Sequence, residues 1–343
     1  MVNMKNLLPI LYTLAVLLLA STEGRCADFQ KGWDAFNNGD YAAAFREWKP
    51  LAEQGDAKAR FLVGAMYYDG QGVSQDQRQA AHWYMLASEQ GNAPARHALG
   101  AMYSYGAGVP QDNKEAVKWY RLAAGEGYVL AQHALGFMYE KGQGIPHDHK
   151  EAAHWYMLAA EQAYASAQNN LGLMYYEGQG VIQDYKIARK WLRLAADQGL
   201  PEARFLLGWM HYKGQGVLQN YKKASKWLRL AADQGLAVAQ TNLGLMYIKG
   251  QGVPQDHREA FKLFKLAAEQ GGSSAQYRLG MMYEHGRGVL QDYVSAYMWY
   301  SLGASQGHKI AREYRDLIKK KMSPSQIEKA QQLAREWLEK HRG

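Results

Sequence analysis

The chain has 343 residues, 48% of them hydrophobic, a formal net charge of +8 and one cysteine. That apolar content suffices for a substantial core, and a lone Cys26 excludes an intramolecular disulfide. Lysine and arginine are spread along the chain in short runs such as Lys319–Lys321, a diffuse basic balance that favours solubility and weak attraction to anionic surfaces over nucleic-acid binding.

The first 27 residues read as a secretory signal peptide. Lys5 supplies a positive start, and Leu7 to Ala20 is an apolar run of 14 residues, too short for a comfortable membrane span. Small or polar residues follow, which places the cut between Ala20 and Ala27. The implied location is periplasmic or secreted; an uncleaved segment is the only expected membrane contact. Arg25 directly before Cys26 argues against lipid attachment.

Residues 28–55 read as a short capping helix pair that turns through Asn37-Asn38-Gly39, with Asp40 capping its second helix. From there a period of 36 residues takes over: Gly64, Gly100, Gly136, Gly172, Gly208, Gly244 and Gly280 keep that step. A second series, Gly91, Gly127, Gly199, Gly235, Gly271 and Gly307, keeps the same step, with Ala163 in the one gap. The period defines seven units over 56–307, each a helix A, a turn, a helix B and a second turn. Residues 308–343 form a C-terminal cap, with Ser323, Pro324 and Gln326 marking a helix start.

Within one unit each recurrent residue has a mechanical role. Ala59 and Gly64 thin helix A, and a mid-helix glycine costs about 0.5–1 kcal/mol, so a neighbouring helix is expected to approach closely there. Met66 and Tyr67 belong to the core, Gly70 and Gly72 stop helix A and turn the chain, and Val73 tucks the loop onto the core. Asp76 is the expected N-cap of helix B. The spacing of Asp112 and Glu115, Asp148 and Glu151, and Asp256 and Glu259 suggests capping boxes. Ala80, Trp83, Leu86 and Ala87 form the apolar stripe of helix B. At Ala163 an L-residue in the left-handed region costs roughly 1–2 kcal/mol, so a changed turn or a longer helix is expected there.

The pattern Ala95, Leu99, Gly100, Met102, Tyr103, then Gly106, Gly108, Val109, then Asp112, Ala116, Trp119-Tyr120 and Ala123-Ala124 resembles the Sel-one-like repeat, a relative of the tetratricopeptide repeat. The resemblance covers nearly all of residues 28–343. It implies an all-α fold, a right-handed α-solenoid of stacked helix–turn–helix repeats, used as an adaptor or scaffold for protein contacts. In bacteria such proteins are often envelope or secreted factors. The departures are His211 for the core tyrosine, Asn220 for the capping aspartate, Leu263-Phe264 for Trp-Tyr, and Ala163. A disulfide-rich branch carries cysteines in each repeat, and its properties do not transfer to this chain.

Comparing the units with one another separates constant packing positions from varying ones. Three positions on helix A vary most: three before the repeat glycine, one after it and four after it, spaced to share one face. In tetratricopeptide-like stacks this face lines the concave side. The first position reads Phe61, His97, His133, Asn169, Phe205, Thr241, Tyr277; the second Ala65, Ala101, Phe137, Leu173, Trp209, Leu245, Met281; the third Tyr68, Ser104, Glu140, Tyr176, Tyr212, Ile248, Glu284. Phe205, Trp209 and Tyr212 put aromatics at all three, and Tyr176, Leu173, Leu245 and Ile248 flank them. This patch is the expected site for a protein or peptide ligand, with burial by the stack itself as the competing explanation.

Other motifs resemble chemistry but fit structure better. The Gly-x-Gly loops lack a P-loop lysine and lie between helices. His147, Asp148 and His149 read as a solvated loop, and His97 and His133, on adjacent helices about 10 Å apart, do not share an ion directly. Glu140 and Glu284 are four units apart and form no acid–base pair. The reading is therefore a non-catalytic scaffold with no metal or cofactor. Glycan binding through the aromatic stripe is the alternative, and a cell-wall hydrolase a weaker one.

Overall fold

The computed structural model describes residues 23–341; residues 1–22, which hold most of the expected export signal, lie outside the described residues. Eighteen helices and no strand occur among the described residues. The N-terminal pair is α1 (Glu23–Asn37) and α2 (Tyr41–Glu53). The helices A are α3 (Ala57–Asp69), α5 (Ala93–Tyr105), α7 (Val129–Lys141), α9 (Ala165–Glu177), α11 (Pro201–Lys213), α13 (Ala237–Lys249) and α15 (Ser273–His285). The helices B are α4 (Gln77–Ser88), α6 (Asn113–Gly125), α8 (His149–Glu161), α10 (Tyr185–Asp197), α12 (Tyr221–Ala232), α14 (His257–Glu269) and α16 (Tyr293–Ser305). The chain closes with α17 (Lys309–Lys319) and α18 (Pro324–Lys340).

Two compact units divide the chain. The N-terminal unit runs to Ala167 and includes Gln179–Ile182; the C-terminal unit takes Gln168–Gly178 and everything from Gln183. The first has a core around Trp48, Leu62, Met66 and Leu99, and a second around Tyr120, Leu135 and Met138. In the C-terminal unit the cores centre on Leu192 and Leu207, on Leu243, Phe264 and Leu279, and on Tyr300 and Ile318.

The repeat glycines meet the close approach expected of them, and the partner is the same repeat's helix B. A methyl group on Gly100 would stand 2.6 Å from Tyr120 Cδ1, on Gly136 2.7 Å from Tyr156 Cδ1, and on Gly244 2.7 Å from Phe264 Cε1. In α9 and α11 the glycines meet Leu192 and Leu228 instead. The turn glycines divide their labour. Gly70 takes φ 72° and donates its N–H to Met66 O, ending α3. Gly72, at φ 69°, lies against the backbone of Tyr41, the first residue of α2, so no side chain fits there.

Caps follow the sequence with one correction. Asp112 accepts from Lys114 N at 2.8 Å and Glu115 N at 3.2 Å, and Asp256 repeats the arrangement. Glu115 and Glu259 do not return a bond as a capping box requires; they pair outward with Lys118 at 2.5 Å and Lys262 at 2.6 Å. One helical turn toward a lysine competes with the return bond and prevails. The reciprocal box is formed at α18, where Ser323 N donates to Gln326 Oε1 at 2.9 Å and Gln326 N to Ser323 Oγ at 3.2 Å.

Ala163 corrects another expectation. The turn is unchanged: Ala163 adopts φ 62°, the only positive φ of a non-glycine residue among the described residues. Ala163 N donates to Ala160 O at 3.0 Å and Tyr164 N to Ala159 O at 3.2 Å, the bonds that Gly127 and Tyr128 make at 3.0 and 3.1 Å. The hydrogen-bonded turn outweighs the local steric cost.

A polar ladder joins successive repeats, and the sequence reading did not find it. The fourth residue of helix A reaches back eight positions to a carbonyl at the end of the preceding helix B. Arg60 Nε donates to Ala52 O at 3.1 Å, Gln132 Nε2 to Ala124 O at 3.3 Å and Gln240 Nε2 to Ala232 O at 3.2 Å. Where that residue is glutamine, its Oε1 also accepts from a glutamine thirty residues on: Gln162 donates to Gln132 at 2.8 Å, Gln270 to Gln240 at 3.0 Å and Gln306 to Gln276 at 3.0 Å. The amides of Gln132, Gln240 and Gln276 are buried yet satisfied, as a buried amide must be.

Two substitutions test the turn and the contact. Gly136→Ala is expected to lower unfolding free energy by about 1–3 kcal/mol through overpacking against Tyr156. Ala163→Gly is expected to raise it by about 1 kcal/mol, because relief of the left-handed penalty exceeds the added entropy of the unfolded chain. Urea unfolding of both variants beside the parent measures the two effects; an unchanged Gly136→Ala midpoint would show that the ring does not hold its place.

Candidate protein-binding surface

The three varying positions of helix A differ in what covers them. The first is largely occupied by packing. Phe61 is 3% exposed with its ring 5.7 Å from Tyr84. His97 is 7% exposed, between Tyr120 at 5.5 Å and Tyr128 at 5.6 Å. His133 repeats this between Tyr156 at 5.4 Å and Tyr164 at 5.1 Å. Tyr277 stacks on His308 at 5.2 Å and meets Tyr314 at 5.3 Å. At His97, His133 and Tyr277 the residue packs against the one that opens the next helix A, so these positions follow their neighbour. Phe61 and His97 therefore offer no open surface.

Burial sets the chemistry of these groups. It pushes His97 down to about 4, with His133 adding repulsion, and His133 down to about 4 against the pull of Glu140. Burial raises the Tyr277 hydroxyl to about 12, helped by Tyr314.

The third position answers to helix B sixteen residues later. Glu140 Oε2 accepts from Tyr156 OH at 2.7 Å, and Glu284 Oε2 from Tyr300 OH at 2.9 Å. Ser104 stands in the same register beside Tyr120. At Tyr120, Tyr156 and Tyr300 helix A supplies a polar neighbour, Ser104, Glu140 and Glu284; opposite Tyr84 the residue at that spacing is Tyr68. Where helix B carries Leu192 or Leu228, the phenol moves to helix A as Tyr176 or Tyr212. This exchange is legible at a spacing of sixteen and escaped the sequence reading.

The relocated tyrosines belong to the C-terminal unit, with Phe205 and Trp209. On α11, Phe205 and Trp209 stack with centroids 6.5 Å apart, and Trp209 and Tyr212 stack at 5.6 Å with planes 12° apart. Burial pushes the Tyr176 hydroxyl up, with Trp209 and Gln215 pulling against it. Lys213 Nζ lies 4.9 Å from the Trp209 ring centre. All four rings are half-buried, as are Leu173, Leu245 and Ile248. The turn of the next repeat fixes two of them: Tyr176 OH donates to Gln215 Oε1 at 2.6 Å and Tyr212 OH to Gln251 Oε1 at 3.1 Å. Trp209 lies between Phe205 and Tyr212, a rigid apolar platform on one helix. In the N-terminal unit Phe137 is 41% exposed, Tyr68 is half-buried, and Ala65 and Ala101 are buried.

His147 and His149 lie edge to face with centroids 4.2 Å apart, while Asp148 between them caps α8 by accepting from Lys150 N at 2.8 Å. Among the described residues no group of three or more His, Cys, Asp or Glu is placed to hold a metal ion. No helix among them is long and apolar enough to cross a membrane.

Tandem helix pairs with a constant interior and a variable aromatic platform define a helical repeat protein of the solenoid class. The chain belongs to the Sel1 repeat family, whose profile matches residues 57–92, 93–128, 129–164, 165–200, 201–236, 237–272 and 273–308. It is similar to the Sel1 repeat protein of Oxalobacter formigenes, at 32% identity and a TM-score of 0.70 over 91% of each chain. It is also similar to c5321, a protective antigen of uropathogenic Escherichia coli strains with an SLR fold. That match has 29% identity and a TM-score of 0.53, covering 92% of this chain and 84% of the other. No curated protein matches the chain. Sel1 repeats are non-catalytic scaffolds that generally mediate protein–protein interaction.

The buried histidines make stability depend on pH. Their folded pKa of about 4 lies below the ordinary 6.5, so the unfolded chain takes up protons first as pH falls. Stability present above pH 6.5 is lost on acidification toward pH 4, by about 2 kcal/mol at pH 5 for His97. His97→Phe, copying Phe61, is expected to flatten the urea midpoint between pH 7 and pH 5.

Proposed function

We propose that this protein is an exported, non-catalytic scaffold whose C-terminal unit binds a peptide or protein segment across Phe205, Trp209 and Tyr212. The near-parallel packing of these three rings, half-buried on one helix face, carries the reading. Large rigid aromatics lose little entropy on binding and dominate interface energetics. Tyr176, Leu173, Leu245 and Ile248 extend the apolar area, and Lys213 supplies a charge at its edge. The two glutamates of helix A fit a scaffold better than an enzyme, since each already accepts a tyrosine hydroxyl.

Export rests on the Lys5 and Leu7–Ala20 pattern. Similarity to a protective antigen supports it, because an antigen is reached from outside the cell. Fractionation with N-terminal sequencing is expected to find a periplasmic or released chain that starts between Ser21 and Asp28. A full-length chain confined to the cytoplasm would overturn the export reading.

Affinity capture with the mature chain, beside Trp209→Ala, tests the platform. The variant is expected to weaken the captured partner's affinity tenfold or more, with Tm moved by no more than about 2 °C. A large fall in Tm with affinity intact would sink the proposal. Competition by a soluble glycan, but not by peptide, would reassign the platform to sugar binding.

A further inference from the structure

The B helices of the C-terminal unit carry a second surface, separate from the aromatic platform. Their tenth residues are Leu194, Leu230, Leu266 and Leu302, in step with the repeat. The first three are 41%, 44% and 50% exposed, while Leu302 is 1% exposed. The difference has a visible cause. The final helix α18 packs on α16, placing Trp337 6.1 Å from Trp299 and joining Ala334 and Trp337 to the core that contains Leu302. The molecule thus shows how this stripe is covered: an amphipathic helix lies along helix B, with apolar residues at Ile327, Ala330, Ala334 and Trp337.

The uncovered stretch differs from the covered one in charge. Lys186, Arg189, Lys190 and Arg193 lie on α10, and Lys222, Lys223, Lys226 and Arg229 on α12, against one acid, Asp197. The basic residues are therefore clustered here, correcting the diffuse distribution read from the sequence. On α14, by contrast, Lys262 and Lys265 face Glu259 and Glu269 at 2.6 and 3.9 Å. Of the eight cations, only Arg193 has a carboxylate at ion-pair distance among the described residues, Asp197 at 2.8 Å. A cleft of about 350 Å³ among α10, α11 and α12 is lined by Leu194, Trp227 and the four α10 cations. The Arg193 guanidinium lies 5.0 Å over the Trp227 ring. His211, which stands where other repeats have tyrosine, lines the same cleft with Nδ1 buried and unbonded among the described residues. Burial, then Lys223 and Arg189, hold its pKa down, consistent with positive potential there.

We propose that α10 and α12 dock an amphipathic helix of a partner protein, its leucine-type face on Leu194, Trp227 and Leu230 and its flanks acidic. A second copy's α18 is a poor occupant, because its three acids are balanced by three bases. The surface is distinct from the Trp209 platform, so the two proposals fail separately.

The test uses the full chain and a synthetic 17-residue helix with the apolar spacing of α18 and glutamates on its flanks, with a lysine-flanked copy as control. Fluorescence anisotropy is expected to show saturable, salt-weakened binding of the acidic helix alone. Arg189→Glu with Lys190→Glu should weaken it at least tenfold, as should Leu194→Glu with Leu230→Glu, with unaltered circular dichroism melts. Trp209→Ala should leave it unchanged. Equal binding of the lysine-flanked helix, or binding unaffected by both double variants, would overturn the proposal. So would heparin binding without helix binding, or self-association abolished by Leu194→Glu.

Discussion

Each helix pair closes on one contact, where the backbone of helix A, bared at a glycine, lies against a side chain of helix B. Most other features of a repeat follow from this approach. It requires a glycine at one place and a ring or branched side chain twenty residues later, as with Gly136 and Tyr156. A phenol driven into that site brings a hydroxyl with it, and a buried hydroxyl needs an acceptor. Glu140 and Glu284 are there for that reason. Where Leu192 and Leu228 fill the site, no hydroxyl needs satisfying, and helix A is released to carry Tyr176 and Tyr212 toward the surface. The aromatic platform around Trp209 arises where the packing rule changes.

A second layer of order joins one repeat to the next. The turn glycine seated on the preceding helix B fixes how near the repeats approach, and the arginine or glutamine ladder fixes their register. Hydrophobic burial alone does not distinguish neighbouring registers, whereas an amide paired on both sides tolerates only one. Specificity of stacking is thus concentrated in a few polar side chains, while the alanines and leucines around them supply most of the driving force.

The helix pairs, their caps and the turns were legible because a thirty-six-residue step repeats each signal seven times. What escaped the sequence reading depends on pairs of residues rather than single positions. Position-by-position comparison marked His97 and His133 as variable, but their variation follows Tyr128 and Tyr164 on the next helix. Ala163 defeated a local rule, because steric cost at one residue is smaller than the hydrogen bonds of an intact turn. The basic face of α10 and α12 was invisible in a linear charge count, since residues four apart become neighbours only on a helix. The Phe205, Trp209 and Tyr212 alignment came through intact because it lies on a single helix.

The ladder also bears on how such a chain changes length. Gln162 with Gln132 and Gln270 with Gln240 each find their partner in the same helix pair, while Gln132 and Gln240 also reach the helix just before. Losing or duplicating a whole repeat supplies the same donor and acceptor at the new junction, and no buried amide is orphaned. Losing part of a repeat strands one. Size variation by complete modules is therefore nearly free of polar penalty, and the aromatic and basic surfaces are able to be spaced apart or brought together without redesigning the interior.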